Sequence, residues 1–251
     1  MSETKPLPIE YISLKNEVKR DLKKYPFNIP LINNFKKLAL KKPVTFIIGE
    51  NGSGKSTLLE AIAIAYGFNA EGGSKNFNFE TKSSHSEFHK YLKIVKSFNA
   101  ATDGFFLRAE SFYNVSSNID ELAEYKESSF YESYGGKSLH DQSHGESFFS
   151  LLKFRLRGNG VYIFDEPESA FSPMRLLSVL SLIDNLVKNN SQFIISTHSP
   201  VLTAYPKAEI YEIRDGKLIL TEYEDTNHYT LTKYFMNNYK KMINELGIDG
   251  Y

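Results

Sequence analysis

The chain has 251 residues, 41% of them hydrophobic, with 30 Lys+Arg balancing 30 Asp+Glu and no cysteine. That length allows one substantial domain with room for an inserted subdomain. The missing cysteine excludes disulfides, thiol catalysis and thiolate-bound zinc and fits a reducing compartment, and the zero net charge carries no overall basic footprint of the kind a large polyanion leaves.

From the N-terminus, "MSETKPLPIEY" has no apolar core of the signal-peptide kind. The longest apolar stretches reach about half of the ~20 residues a membrane span needs. The chain is therefore expected to be cytoplasmic, with no membrane insertion of its own. Lys36, Lys37, Lys41 and Lys42 read as a solvated charge run ahead of a strand, with a DNA contact as the competing reading.

Val44–Ile48 is an apolar, strand-length run. It leads into Gly49-Glu50-Asn51-Gly52-Ser53-Gly54-Lys55-Ser56-Thr57, then a helical pattern that stops at Gly67. This satisfies G-x-x-x-x-G-K-[ST] in the confirming context of strand before and helix after. The physics is direct. Glycines let the backbone curl with its N–H groups inward, and the helix adds its positive end, so the loop suits a triphosphate. Lys55 is expected to bridge the β- and γ-phosphates and Ser56 to place its hydroxyl on Mg²⁺, with Thr57 near the α-phosphate. ATP and Mg²⁺ are the ligands this implies. Tyr25, Phe27 and Phe35 are candidates to stack on adenine.

Residues 68–103 read as looser chain. His85 and His89 stand four apart, but no third ligand accompanies them. A strand over Phe105–Leu107 leads into Arg108, Ala109 and Glu110. Glu110 is expected to approach the metal or its water, with a surface salt bridge as the alternative. Residues 111–143 are rich in Ser, Tyr, Glu and Gly. Ser143-His144-Gly145-Glu146 then opens a helix running to Arg155. The free N–H groups at its start can bind an anion, and Ser143 with Glu146 also forms a capping box; the two roles are compatible. Residues 68–155 are taken as an approximate inserted helical subdomain within a single domain over 1–251.

Val161–Phe164 is a third apolar strand, ending in Asp165 and Glu166. Ligands sit at the carboxyl edge of such sheets. Asp165 is expected to orient Mg²⁺, and Glu166 to polarise the attacking water. Ser172 and Pro173 form a cap and first-turn pair for a helix to Lys188. The strand Phe193–Ile195 ends near Thr197 and His198, and His198 is expected to hold the γ-phosphate, the water or Glu166. Strands over Ile210–Ile213 and Leu218–Leu220 follow, then one or two helices over 227–246 packed on the core. His228 and Tyr229, in the last segment, read as packing or partner contact. Strands alternating with helices give an α/β fold: a largely parallel sheet flanked by helices on both faces.

In this order the motifs resemble the nucleotide-binding domain of the ABC-type ATPase superfamily, which includes transporter ATPase subunits and the head domains of structural-maintenance-of-chromosomes proteins and their DNA-repair relatives. "GFFLRAESF", "QSHGES", "DEPESAFSP" and "STHSP" are similar to small stand-alone bacterial proteins called AAA family or predicted ATPases. The resemblance implies a P-loop NTPase with an ABC-ATPase-like head and a helical subdomain carrying the signature motif. Gly49–Thr57 match Walker A, Glu110 the Q-loop position, Ser143, His144, Gly145 and Glu146 the signature, Asp165 and Glu166 Walker B with its catalytic glutamate, Ser169–Ser172 the D-loop and His198 the switch histidine. Glu110 departs from the usual glutamine, and His144 from the usual glycine.

The resemblance further implies an ATP-dependent homodimer in which Ser143 and Gly145 reach the γ-phosphate held by the other subunit. Such a dimer acts as a nucleotide-driven switch on an effector protein or DNA, by family analogy in a bacterial defence or toxin–antitoxin module. The alternatives are the ATPase subunit of an ABC transporter and a nucleotide-sensing module with little turnover.

Overall fold

Six apolar runs of the sequence become six strands of one sheet in the computed structural model, which describes residues 5–15, 21–74, 86–108 and 144–248. The elements in chain order are β1 (Ile9–Leu14), α1 (Pro30–Asn34), β2 (Lys37–Ala39), β3 (Val44–Ile48), α2 (Lys55–Tyr66), β4 (Leu92–Lys96), β5 (Asp103–Arg108) and α3 (His144–Ser150). A π-helical turn over Leu151–Arg155 continues α3. Then come β6 (Gly160–Asp165), α4 (Pro173–Lys188), β7 (Gln192–Ser196), α5 (Pro200–Thr203), β8 (Ala208–Arg214), β9 (Lys217–Thr221) and α6 (Asn227–Glu245).

The main sheet has the order β5-β6-β7-β3-β8-β9. The first five strands are parallel, and β9 pairs antiparallel with β8. Both faces are covered, so its central strands are apolar on both sides, save for hydrogen-bonded polar residues such as Thr45, Gln192 and Ser196. The alternation is clear once the faces are separated. Val44, Phe46, Ile48, Phe105, Leu107, Tyr162, Phe164, Phe193 and Ile195 join the core under α3 and α4. Ile47, Phe106, Val161, Ile163 and Ile194 join the opposite core under α2. The largely parallel α/β architecture is thus as the strand and helix pattern implies.

A second sheet was not anticipated from the sequence. β1 lies between β2 and β4 in an antiparallel sheet of order β2-β1-β4. It places Ile9, Ile12, Leu38 and Leu92 in the core that also holds α2. Its strands are short and wet on one side, so none has a continuous apolar run to announce it. Gln192, fully buried at the start of β7, ties the two sheets together: its amide donates to Ile9 O and accepts from Ile9 N, at 2.9 and 2.8 Å. Phe27 and Phe35 pack edge-on against Phe88 in this core. That burial removes them as adenine platforms, while Tyr25 stays exposed.

The C-terminal helix also corrects an expectation. α6 forms, with a kink at Asn238, but none of its residues is buried. Its Leu231 and Met236 are exposed. Among the described residues no helix is long and apolar enough to cross a membrane.

The end of the π turn is anchored to the sheet through Asp103. Its carboxylate accepts from Arg155 Nη1 (2.9 Å), Arg157 N (3.1 Å) and Tyr162 Oη (2.8 Å). Burial pushes the Asp103 carboxyl up, but the Arg155 guanidinium and these donors outweigh it and leave it below the ordinary aspartate value. A depressed carboxyl stabilises the fold above the unfolded pKa and loses that contribution as pH falls through the folded value. Asp103→Asn is therefore expected to cost about 2 kcal/mol at neutral pH, because charge-assisted hydrogen bonds are lost around a half-buried arginine. The deficit should shrink below about pH 4. Denaturant melts of both forms across pH check this; an unchanged midpoint at pH 7 would reject it.

Candidate functional site

The three strand ends that carry the chemistry lie side by side. β7 separates β3, which feeds the glycine loop, from β6, which ends in Asp165. Asp165 is in register with Ser196 on one side and Arg108 on the other. Parallel strands place all their carboxyl ends at one edge, so loop, acids and histidine converge there without any being near another in sequence.

The loop is built for an anion. Gly54 caps α2 in the left-handed region at φ 98°, and a Cβ there would sit 2.8 Å from Ile29 Cγ2, so conformation and space both demand glycine. Glu50, Asn51 and Gly52 form the exposed crest, while Ser53, Gly54, Ser56 and Thr57 are half-buried. The backbone amides of Gly52, Gly54, Lys55 and Ser56 find no acceptor among the described residues. The Ser53 hydroxyl is sealed from solvent without a partner among the described residues. Such donors at a helix N-terminus fit a phosphate cradle.

Lys55 is buried, and its Nζ donates to Gly49 O (2.9 Å) and Glu50 O (3.0 Å). Burial pulls the ammonium below the ordinary lysine value, opposed by Glu166, Asp165 and Glu168. The donor set for a hard cation sits beside it. Ser56 Oγ donates to Asp165 Oδ1 at 3.2 Å, and Ser196 Oγ donates to the same oxygen at 2.5 Å. Burial raises the Asp165 carboxyl, resisted by both hydroxyls and by Arg108, whose Nε lies 3.9 Å from Oδ2. A hydroxyl and a carboxylate oxygen, costly to keep buried as an anion alone, fit Mg²⁺.

Glu166 follows in the left-handed region, at φ 49° and ψ 53°, unusual for a residue with a side chain. Its N–H donates to Ser196 O at 3.1 Å. This turn brings the carboxylate to 3.8 Å from Lys55 Nζ and 3.3 Å from His198 Nε2. Glu168 holds the other side of the histidine: its Oε1 accepts from His198 N at 2.5 Å. Burial raises its carboxyl, and the His198 amide works against that shift.

The sequence-based candidates divide accordingly. Lys55, Ser56, Asp165, Glu166 and His198 come together. α3 begins at His144, and Gly145 approaches the Pro167–Ala170 turn so closely that a Cβ would meet Ala170 O at 3.0 Å. Glu146 is exposed on the first turn of α3. Ser143 and Glu110 lie outside the described residues. Ser196, Arg108 and Glu168 were not singled out from the sequence as site residues, and neither was His228, whose ring lies 5.3 Å from that of His198. Of these, only Glu168 carried a visible signal, as the third acid of "DEPE". Among the lysines read against DNA, Lys37 covers the Tyr11 ring at 3.9 Å and Lys42 donates to Ala208 O at 2.8 Å.

Strand, glycine loop, helix, acidic strand end and following glutamate define a P-loop nucleoside-triphosphate-binding protein. Residues 26–193 match the AAA domain family, and the chain belongs to that family. It is 27% identical over 225 residues to the nucleoside import ATP-binding protein NupA of Lactococcus lactis subsp. cremoris (strain MG1363), a match covering 83% of this chain and 44% of that protein. It is 24% identical over 203 residues to the guanosine import ATP-binding protein NupO of Bacillus subtilis (strain 168), covering 74% and 39%. A similar solved structure is the SMC head domain from Thermotoga maritima, at 16% identity and a TM-score of 0.46, covering 86% of this chain and 100% of that one. The chain spans less than half the length of NupA or NupO.

Proposed function

We propose that this chain hydrolyses ATP and uses it as a switch: two copies close on Mg·ATP and release after hydrolysis, controlling a partner protein or DNA. The observation that carries this reading is the convergence of Lys55, Asp165, Glu166 and His198 on one sheet edge beside a loop of unpartnered amides.

The residues divide the work by chemistry. Loop amides and Lys55 bind the phosphates, with Lys55 exchanging the Gly49 and Glu50 carbonyls for phosphate oxygens. Ser56 and Asp165 hold the metal, and Mg²⁺, when bound, neutralises charge on the β- and γ-phosphates. Glu166 polarises the attacking water and takes its proton as the γ-phosphoryl group passes from ADP to that water, giving ADP and phosphate. His198 orients Glu166 or the water. Ser143 and Gly145 of a second copy supply donors to the γ-phosphate, completing its charge stabilisation.

A bacterial defence or toxin–antitoxin setting is the finer form of this reading and rests on family analogy alone. A second reading, the ATP-binding subunit of an importer, is favoured by the similarity to NupA and NupO. Against it stands Glu110 in place of the glutamine usual at that position. The retained Glu166 carboxylate speaks against pure sensing.

Ser143→Arg tests the shared site. Bulk and charge at the signature helix should leave nucleotide affinity of the single subunit within about twofold, yet cut turnover about 100-fold, the size of loss seen for a missing transition-state donor. Equal loss of binding and turnover, measured by titration calorimetry and phosphate release, would mean that Ser143 only supports the fold.

A further inference from the structure

His228 is the second residue of α6, and the chemistry proposed above does not use it. It nevertheless lies at the catalytic edge. Its ring and that of His198 are 5.3 Å apart, centroid to centroid, and inclined by 38°. Each carries a nitrogen sealed from solvent with no hydrogen bond among the described residues: Nε2 of His198 and Nδ1 of His228. Nε2 is the atom that lies 3.3 Å from Glu166 Oε1. The His198 backbone is fixed by Glu168, but its ring can still turn about its side-chain bonds, and the second imidazole lies against it.

The first turn of α6 is itself held firmly. Thr226 is fully buried, and its hydroxyl caps the helix by accepting from Tyr229 N at 3.3 Å. Asn227 N donates to Glu212 Oε1 at 3.0 Å, and Arg214 pairs with Glu212 and donates to Asp225 O at 3.0 Å. Tyr223 Oη donates to Pro200 O at 2.9 Å, two residues beyond His198. So the helix start is tied both to β8 and to the turn that carries the switch histidine. These ties hold the first turn of α6, although none of the helix's residues is buried.

The charged groups around His228 are Glu212, Lys55 and, through His198, Glu166. Burial, His198 and Lys55 all pull its imidazole below the ordinary histidine value, against Glu212. A neutral ring can lie beside His198 without repelling it in either charge state.

We infer that His228 is a positioning residue for ATP hydrolysis: its ring holds the His198 imidazole in the orientation that serves Glu166, and so links the catalytic edge to the C-terminal helix. This rests on the proposed ATPase reaction. Misplacing a group by about 1 Å can cost a hundredfold in rate. A ring that turns part of the time is expected to cost about tenfold.

The test is a double-mutant cycle on the full chain. His228→Ala should lower kcat about tenfold with KM for ATP within about twofold. His228→Phe keeps a flat ring and should restore most of the rate. In a His198→Ala background, His228→Ala should change kcat by less than about twofold, because the ring it supports is gone. Multiplying effects in the double variant, or equal loss in the Phe and Ala forms, would overturn the inference. Proton NMR of the imidazole resonances supplies a readout independent of turnover: the His198 signals should shift and broaden in His228→Ala, and unchanged signals would also overturn it. A wild-type protein that fails to hydrolyse ATP would sink the proposed reaction instead, leaving the ring pairing to be judged by these resonances.

Discussion

Lys55→Ala is expected to weaken Mg·ATP binding at least 100-fold and to remove turnover. Lys55 donates to the loop carbonyls of Gly49 and Glu50 and is placed to exchange them for phosphate oxygens. Two charge-assisted hydrogen bonds, at about 1.5 kcal/mol each, account for a loss of about 3 kcal/mol, or two orders of magnitude in affinity. The site also loses its buried positive charge, and Glu166, Asp165 and Glu168, all coupled to it, are left facing the phosphates with less compensation. Like charge drawn together in a partly desolvated cleft adds to the penalty. Titration calorimetry with Mg·ATP, alongside thermal melting to confirm that the fold survives, measures this. Wild-type turnover in the alanine form would reject the assignment of the loop.

Glu166→Gln should separate binding from chemistry. The amide keeps the size of the side chain and its place between Lys55 and His198, 3.8 and 3.3 Å away. It cannot accept a proton. Hydrolysis is expected to fall about 10²- to 10⁴-fold, the usual contribution of a positioned base, while ATP affinity holds. With the reaction stalled, the ATP-bound form accumulates, and ATP with Mg²⁺ should move the protein from monomer to dimer in sedimentation velocity. Only monomer under saturating nucleotide would count against the two-copy switch, while leaving nucleotide binding by one subunit intact. The same variant, purified with ATP from its native cell, is the form in which a bound nucleic acid, membrane subunit or effector would be retained.

Much of the architecture was legible because its signals are local. Each central strand is buried on both faces, so Val44–Ile48, Val161–Phe164 and Phe193–Ile195 are mostly apolar, with Thr45 paired to Glu209, and stood out as short runs. The phosphate loop was legible for the same reason. Strand, turn and helix are consecutive, and the glycine at the αL cap of α2 is required by its own backbone and by Ile29. The second sheet was not legible. β1 buries only Ile9 and Ile12 of its six residues, a pattern too sparse to separate from loop. α6 misled in the opposite direction: its apolar residues suggested packing on the core, but none of them is buried.

The sequence by itself determined that a triphosphate cradle would follow a buried strand, and that an acid pair and a histidine would end two others. Those facts reside in a few adjacent residues each, where backbone geometry and burial leave little choice. Only the tertiary structure decided that Ser196 would brace Asp165, that Glu168 would fix the His198 backbone, and that His228 would flank its ring. Ser56 and Asp165 are 109 positions apart. Bringing such groups within hydrogen-bond reach depends on strand order and register, which arise from the packing of the whole sheet.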